Sequence, residues 1–261
     1  MDSTSLNPKG KFGTAPVFLT AISTILGAIM FLRFGYSVGQ VGVYGTIAII
    51  VIGHLVTIPT AMSLAEIATN QKVEGGGEYF IISRSFGLTI GAAIGIALYL
   101  SQAISVAFYL IAFTEAFEPL LPIINSYLPI ELNKMIIGII SVILLSWLML
   151  TKGASSGMVL LYVVVGILSV SLIMFFAGGP TDGFISPDTF HLNKEKNDFF
   201  FIFAIVFPAF TGMTAGVGLS GDLKNPKVSI PLGTLSATLI GMVIYVFIAV
   251  KLGSSATSAE L

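Results

Sequence analysis

One apolar segment of the chain is interrupted by the run Phe207-Pro208-Ala209-Phe210-Thr211-Gly212-Met213-Thr214-Ala215-Gly216. The first apolar segment carries a shorter interruption, Ser23-Thr24-Ile25-Leu26-Gly27. In hydrocarbon an unsatisfied backbone N–H or C=O group costs several kcal/mol, so an interrupted membrane helix persists only where it lines a polar cavity. Two interruptions in corresponding segments of one chain are typical of the substrate site of a secondary transporter.

The composition is that of a membrane protein. Hydrophobic residues make up 55% of the chain, charged residues only 10%, and the mean hydropathy is +0.98. The net charge of −1 excludes a nucleic-acid reader that relies on a basic surface. The chain has no cysteine, which excludes thiolate metal sites and disulfides.

Seven apolar segments approach the length of a membrane span, which is ~20 residues. They lie approximately at 15–34, 43–64, 90–113, 135–150, 158–177, 199–219 and 232–250. Turn-forming residues mark the loops between them, at 35–42, 75–77, 119–129, 151–157, 178–198 and 220–231. We therefore predict an all-α membrane protein with a cytoplasmic tail over 1–14, a transporter core over 15–253 and a polar end over 254–261.

The two interruptions fall in the first and sixth spans. In an inverted repeat of five plus five spans, these are the first helices of the two halves. The first repeat then covers about 15–177, and the second begins over about 199–253. Because three more spans are needed to complete the second half, we expect the chain to be an incomplete N-terminal part of a transporter.

Basic residues in the short loops predict the orientation. With the N-terminus in the cytoplasm, the inner loops hold Lys9, Lys11, Lys72, Arg84, Lys152, Lys224 and Lys227. The outer loops hold Lys134, Lys194 and Lys196. This excess of basic residues inside predicts a multi-pass protein of the plasma membrane with a cytoplasmic N-terminus.

The longer interruption supplies ligands for small ions. Pro208 frees the carbonyl four residues upstream, and glycines such as Gly212 and Gly216 let the backbone leave the helix. Freed carbonyls and the hydroxyls of Thr211 and Thr214 are hard oxygen ligands for a cation, and N–H groups at the start of the second half-helix suit an anion. A purely structural proline kink is the alternative.

Three further polar residues lie in the spans, and two of them have more than one possible role. Glu66 ends the second span and is either a proton-coupling group or an interfacial carboxylate. Tyr109 belongs either to an interfacial aromatic belt or to the cavity. His54 is interpreted as a packing residue, because no partner lies at metal-ligand spacing.

The sequence context does not support any enzyme motif. Residues 216–221 fit G-x-G-x-x-G, but they follow a membrane span instead of a strand, and no acidic residue lies about twenty positions further on. His54 and His191 are not accompanied by a nucleophile-elbow motif, so the sequence shows no nucleophile–base pair. We predict a protein that is not an enzyme and has no cofactor, with transported ions as its only small ligands.

Several blocks of the sequence resemble the cation–chloride cotransporters, within the superfamily of amino acid–polyamine–cation transporters. The run from Leu26 to Phe34, followed by Val38-Gly39-Gln40-Val41-Gly42, resembles their first helix. The runs 67–70 and 75–87 resemble the loop into their third helix, and 207–212, 220–226 and 229–231 resemble their sixth helix and the loop after it. The resemblance implies a five-plus-five inverted-repeat core that works by alternating access.

The resemblance also implies ion ligands, position by position. Potassium ligands would be Thr24, Ile25, Tyr109, Pro208 and Thr211. Sodium, where the family uses it, would contact Ser23 and Leu26. One chloride would meet the backbone of Gly27, Ala28 and Ile29, and a second that of Gly212, Met213 and Thr214.

The chain departs from eukaryotic members at several positions. Thr24 stands in place of their asparagine, Leu26 replaces a usually aromatic or large residue, Val217-Gly218 replaces an Ala-Asn pair, and Glu66 replaces a neutral residue. These differences fit a prokaryotic-type relative, in which an amino acid instead of salt is an open choice of substrate.

Cation-coupled chloride symport, with potassium, sodium or both, is therefore the leading functional prediction. An amino-acid permease of the same superfamily is the alternative, with the substrate carboxylate at Gly27–Ile29 and its amine near the carbonyls of 207–210. A channel or receptor-like protein is weaker, because no polar stripe runs through several spans. The expected partners are inorganic ions or a small amino acid and the lipid bilayer, without nucleic acid; a homodimer stays open.

Overall fold

The computed structural model describes residues 10–70, 76–127, 129, 131–180, 190 and 199–261. Of residues 149, 152–156 and 158, only the backbone is described. Within this part of the chain the fold is helical, and the one strand-like feature is an isolated parallel bridge between Phe12 and Leu223. The predicted all-α class is confirmed.

The described helices follow one another in a simple order. The α-helices are α1 (Thr14–Ile25), α2 (Ala28–Asn70), α3 (Gly77–Phe86), α4 (Leu88–Phe117), α5 (Leu121–Tyr127), α6 (Lys134–Ala177), α7 (Phe199–Val206) and α8 (Pro226–Ser255). Three 3-10 segments cover Glu118–Leu120, Phe207–Phe210 and Met213–Asp222.

The interruption in the first span is present in the structure, and we call it break 1 (Leu26 and Gly27). Helix α1 ends at Ile25 and α2 begins at Ala28, so both residues of break 1 lie outside the helices. The Gly27 N–H donates to the Ile25 carbonyl at 2.8 Å, a tight turn in place of the regular helical bond. The chain then resumes helically, with the Met30 N–H donating to the Gly27 carbonyl at 3.1 Å.

The interruption in the sixth span is longer, and we call it break 2 (residues 207–212). Helix α7 ends at Val206, and a 3-10 turn over Phe207–Phe210 follows, with Pro208 near its start. Thr211 is extended and Gly212 is left-handed, with φ of 96°. The chain continues as the 3-10 segment Met213–Asp222, so the predicted discontinuity is confirmed.

The predicted loop at 35–42 is wrong in extent. Helix α2 runs through it and leaves helical geometry only at Gly42, where φ is 76° and ψ is 173°. Val38, Gly39 and Val41 are buried there, so packing outweighs the weak helix propensity of the glycines. The second predicted span does start directly after Gly42, and one residue replaces the expected eight-residue connection.

The predicted loop at 151–157 is also wrong, because α6 continues from Lys134 to Ala177 without interruption. The segment has glycine and serine but no proline, and such residues lower helix stability without removing a backbone donor. At ~1.5 Å per residue this helix is about 66 Å long, roughly twice the hydrocarbon thickness of a bilayer.

Five of the described helices or helix pairs are long and apolar enough to cross a membrane, judged by length and composition. They are Ala28–Asn70, Leu88–Tyr127, Val159–Ala177, Phe199–Asp222 and Pro226–Ser255, with Thr14–Ile25 and Lys134–Leu148 as shorter apolar helices. The seven segments expected from the sequence are thus all helical, although two of them are short.

The buried core lies where α1, α2 and α8 surround break 2. Phe34, Val38, Ile50, Phe210 and Tyr245 are completely buried there. Two other spans are far more exposed. In the most apolar 18 residues of each, 6% of the residues are buried in Leu88–Tyr127 and 0% in Val159–Ala177, compared with 56% in α2. Such exposed apolar faces suit contact with hydrocarbon.

Several residues used for the orientation lie outside the described residues, namely Lys9, Lys72, Lys194 and Lys196. Gly75 and His191 also lie outside them. The side of the membrane that holds the N-terminus therefore stays a prediction.

Candidate substrate site at the two helix breaks

The end of α1, directly before break 1, is in contact with break 2. A Cβ atom placed on Gly212 would lie 2.7 Å from Cγ2 and 3.2 Å from Cβ of Thr24. Residues from the end of α1 and from break 2 thus face each other with no space between them. The structure brings together the two sequence features that predicted a site.

Tyr245 of α8 links the breaks through one hydroxyl group. Its O–H lies 3.0 Å from the carbonyl oxygen of Ala209 in break 2, and it also contacts the carbonyl oxygen of Ile25 at the end of α1. The hydroxyl has a single hydrogen, so the two carbonyls share it. The side chain is completely buried.

Aromatic rings hold this tyrosine in place. The ring of Tyr245 stacks on Phe34 at 4.7 Å between centroids and meets Phe210 edge-on at 5.5 Å. The His54 ring lies 5.0 Å from Phe210, and its Nδ1 is 2.8 Å from the Ile50 carbonyl oxygen. His54 is therefore a packing residue with a satisfied ring nitrogen, as expected.

Hydroxyl groups at the breaks donate to carbonyls of their own helices. Thr24 Oγ1 donates to the Thr20 carbonyl at 2.8 Å, and Ser23 Oγ donates to the same oxygen at 3.1 Å. Thr211 Oγ1 donates to the Pro208 carbonyl at 2.7 Å. A hydroxyl that donates its hydrogen still has lone pairs, which remain available to a cation.

A helical segment begins directly after each break. Ala28 and Ile29 lie in the first turn of α2, and Met213 and Thr214 begin the 3-10 segment after break 2. N–H groups at the start of a helical segment point outward and carry a partial positive charge. No charged side chain occurs between residues 12 and 32 or between 199 and 221, so the chain segments that form the two breaks carry no formal charge themselves.

Tyr109 of α4 lies within electrostatic range of Tyr245 and also borders a separate cavity. It lines a cavity of about 550 Å³ between α4 and α6, with Phe113 and Ser141 among its neighbours. The other lining residues of this cavity come from the same two helices, and its walls are mainly apolar. The short contacts described above join Thr24 to Gly212 and Ile25 to Tyr245, and Tyr109 approaches this group through its electrostatic interaction with Tyr245.

Glu66 is exposed on α2, four residues before the helix ends at Asn70. Its backbone carbonyl accepts a hydrogen bond from the Asn70 side chain at 3.0 Å. No contact of its carboxylate with the breaks is described. Its coupling role stays a prediction, and the structure does not bring it into the site.

A second, smaller cavity of about 180 Å³ opens beside break 2. It is lined by Thr214 and Ala215, by Gln102 of α4, and by Glu78 at the start of α3. Sequence analysis did not select Glu78 or Gln102. A glutamine within an apolar span was the available signal for Gln102, because amides are costly in hydrocarbon.

Tyr245 was also missed by sequence analysis. A tyrosine in the middle of an apolar span, away from either interface, is unusual enough to predict a hydrogen-bond partner. The partners themselves, the carbonyls of Ile25 and Ala209, are visible only once α8 is packed against both breaks.

An ion pair connects the first part of α2, just after break 1, to the end of α4. Arg33 Nη2 lies 3.4 Å from Glu115 Oε2, and both side chains are partly exposed. A second pair joins Lys134 Nζ and Glu118 Oε2 at 2.7 Å. Exposed pairs of this kind contribute at most about 1 kcal/mol, so they orient helix ends more than they stabilise the fold.

The apolar helices define a multi-pass integral membrane protein, and paired helix breaks of this kind are typical of secondary transporters. The family described as amino acid permease matches residues 16–257, and the chain belongs to this family.

Relatives confirm the predicted resemblance to the cotransporter branch. Solute carrier family 12 member 2 of Homo sapiens is 36% identical over 259 residues, which are 94% of this chain and 21% of that protein. Solute carrier family 12 member 1 of Homo sapiens is 35% identical over 263 residues, 94% of this chain and 24% of that protein.

A third relative carries a transport activity in its name. The bumetanide-sensitive sodium-(potassium)-chloride cotransporter of Manduca sexta is 34% identical over 267 residues, covering 92% of this chain and 25% of that protein. The chain spans about a quarter or less of the length of these curated relatives.

Proposed function

We propose that this chain contributes the substrate site of a secondary active transporter that moves a cation together with chloride by alternating access. The observation that supports the proposal is the contact between Thr24, at the end of α1 next to break 1, and Gly212 of break 2. The name of the Manduca sexta relative supports the combination of sodium or potassium with chloride.

The ligand assignment belongs to the same proposal. Potassium is held by Thr24, Ile25, Pro208 and Thr211, with Tyr109 contributing from α4, and sodium contacts Ser23 and Leu26. One chloride binds the N–H groups of Gly27–Ile29 and a second those of Gly212–Thr214. Partly dehydrated ions suit such a lining, because carbonyl and hydroxyl oxygens replace water around a cation and helix N-termini attract an anion.

The proposed orientation has the N-terminus in the cytoplasm. Lys11, Arg84, Lys224 and Lys227 support it, since the positive-inside rule places such residues on the cytoplasmic side.

Ion uptake into proteoliposomes tests the proposal directly. The purified protein is reconstituted, and uptake of radiolabelled chloride and rubidium is measured with and without the other ion. We expect chloride uptake that requires sodium, potassium or rubidium, and rubidium uptake that requires chloride. Uptake of an amino acid without any need for chloride would overturn the proposal.

Amino-acid transport is the second candidate function, and one observation favours it. Glu78 lines the cavity beside Thr214, and a carboxylate attracts an ammonium and repels chloride. The carboxylate of an amino acid would then occupy the N–H groups of Gly27–Ile29. A panel of labelled amino acids in the same proteoliposomes separates the two candidates.

A further inference from the structure

The hydroxyl of Tyr245 contacts the peptide carbonyls of two segments that are far apart in sequence. Ile25 ends α1, and Ala209 lies in the 3-10 turn of break 2. Carbonyls at helix breaks are the ones that lack a regular helical donor. One side chain of a third helix thus provides a donor at both breaks.

The position of α8 makes this double contact possible. Gly241 lies one helical turn before Tyr245, on the same face of α8. A Cβ atom at Gly241 would lie 2.8 Å from Cγ2 of Ile25, so the absence of a side chain lets α8 approach the end of α1. Phe34 and Phe210 then fix the ring from two sides.

We propose that Tyr245 is a positioning residue, which sets the distance between the two breaks and so keeps their carbonyl and hydroxyl ligands in one ion site. No sequence motif assigns this role to α8. The part of the inference that concerns ions rests on the proposed function, whereas the part that concerns the breaks rests on the hydrogen bonds alone.

Hydrogen exchange of the two breaks tests the inference without transport. Tyr245→Phe removes only the hydroxyl and keeps the ring that packs on Phe34. We expect amide exchange within 26–30 and within 211–215 to become faster, on the order of 2- to 10-fold, because each break loses a shared hydrogen bond. Tyr99→Phe is the matched control, since Tyr99 is 72% exposed on α4, and we expect it to leave both segments unchanged.

Two results would overturn the inference. Unchanged exchange at both breaks in Tyr245→Phe means that the hydroxyl does not hold them. Faster exchange spread evenly over α2 and α8 means that the hydroxyl supports the whole fold instead of the breaks. Tyr245→Leu, which also loses the ring, provides the pattern of such general loosening for comparison.

Transport kinetics distinguish failure of this inference from failure of the proposed function. In Tyr245→Phe we expect the KM for rubidium to rise on the order of 2- to 10-fold, with a smaller change in maximal rate. If the unmodified protein takes up no rubidium, the proposed function fails, and the exchange result still decides the role of Tyr245. If it takes up rubidium and Tyr245→Phe has the same KM, the positioning role fails.

Discussion

Gly212 combines a left-handed backbone with a tight contact. Its φ is 96°, and any Cβ atom would come within 2.7 Å of Thr24 Cγ2. We therefore expect Gly212→Ala to reduce the free energy of unfolding by about 1–3 kcal/mol, through backbone strain and steric overlap together. The thermal midpoint of the protein in detergent measures this loss.

Gly166→Ala is the control for this substitution. A Cβ atom at Gly166, in the middle of α6, would meet no atom within 4 Å. Because alanine is the better helix former, we expect an unchanged or higher midpoint. Equal midpoints for the two variants would mean that break 2 tolerates a side chain at Gly212.

Thr211 tests the oxygen ligands of break 2. Thr211→Val keeps the shape of the side chain and removes the hydroxyl, so we expect the KM for rubidium to rise on the order of tenfold, the loss of ~1.4 kcal/mol. Thr60→Val is the matched control, because Thr60 Oγ1 makes the same kind of bond to the Val56 carbonyl, at 2.8 Å, on an exposed face of α2. An equal KM in the two variants would remove Thr211 from the ligand set.

At the scale of elements, α2 depends on one residue to change direction. Gly42 has φ of 76° and ψ of 173°, a backbone region that is essentially limited to glycine. We expect Gly42→Ala to cost about 1–3 kcal/mol of stability for this reason. The substitution is checked by the thermal midpoint, and a midpoint equal to that of the unmodified protein would show that α2 does not need this turn.

The elements also show how far sequence reasoning reaches. Both breaks were predictable: Pro208 removes a backbone donor and Gly212 tolerates a left-handed backbone at break 2, and Gly27 follows the hydroxyl pair Ser23-Thr24 at break 1. The extent of α2 and α6 was not, because the glycines and serines in 35–42 and 151–157 permit either a loop or a helix. At Val38 and Val41 the burial of the side chains favours the helix over the loop. Such tertiary packing cannot be predicted from the local sequence.

The site was predictable in part for the same reason. Thr24 and Gly212 stand out in sequence because they interrupt apolar runs. Tyr245 takes its role only from the approach of α8 to both breaks, a tertiary feature. Tyr109 faces the cavity between α4 and α6, which no sequence pattern separates from the neighbouring faces of the same helix.

For the whole molecule, the absence of cysteine makes the orientation easy to measure. Single cysteines introduced as Lys11→Cys and Glu131→Cys are both at exposed positions. We expect a membrane-impermeant maleimide added to intact cells to label Glu131→Cys, and to label Lys11→Cys only after the membrane is permeabilised. The reverse pattern would place the N-terminus outside.

The absence of charged residues from the two break segments has an electrical consequence. A charge that crosses the full membrane potential exchanges ~2.3 kcal/mol per 100 mV with the field, so a charged side chain moving with the site would make the cycle voltage-dependent. Neither break carries a formal charge, and residues 228–250 of α8 carry none. Under the proposed function these segments add no charge of their own to the cargo, and one cation together with one chloride would carry no net charge across the membrane potential.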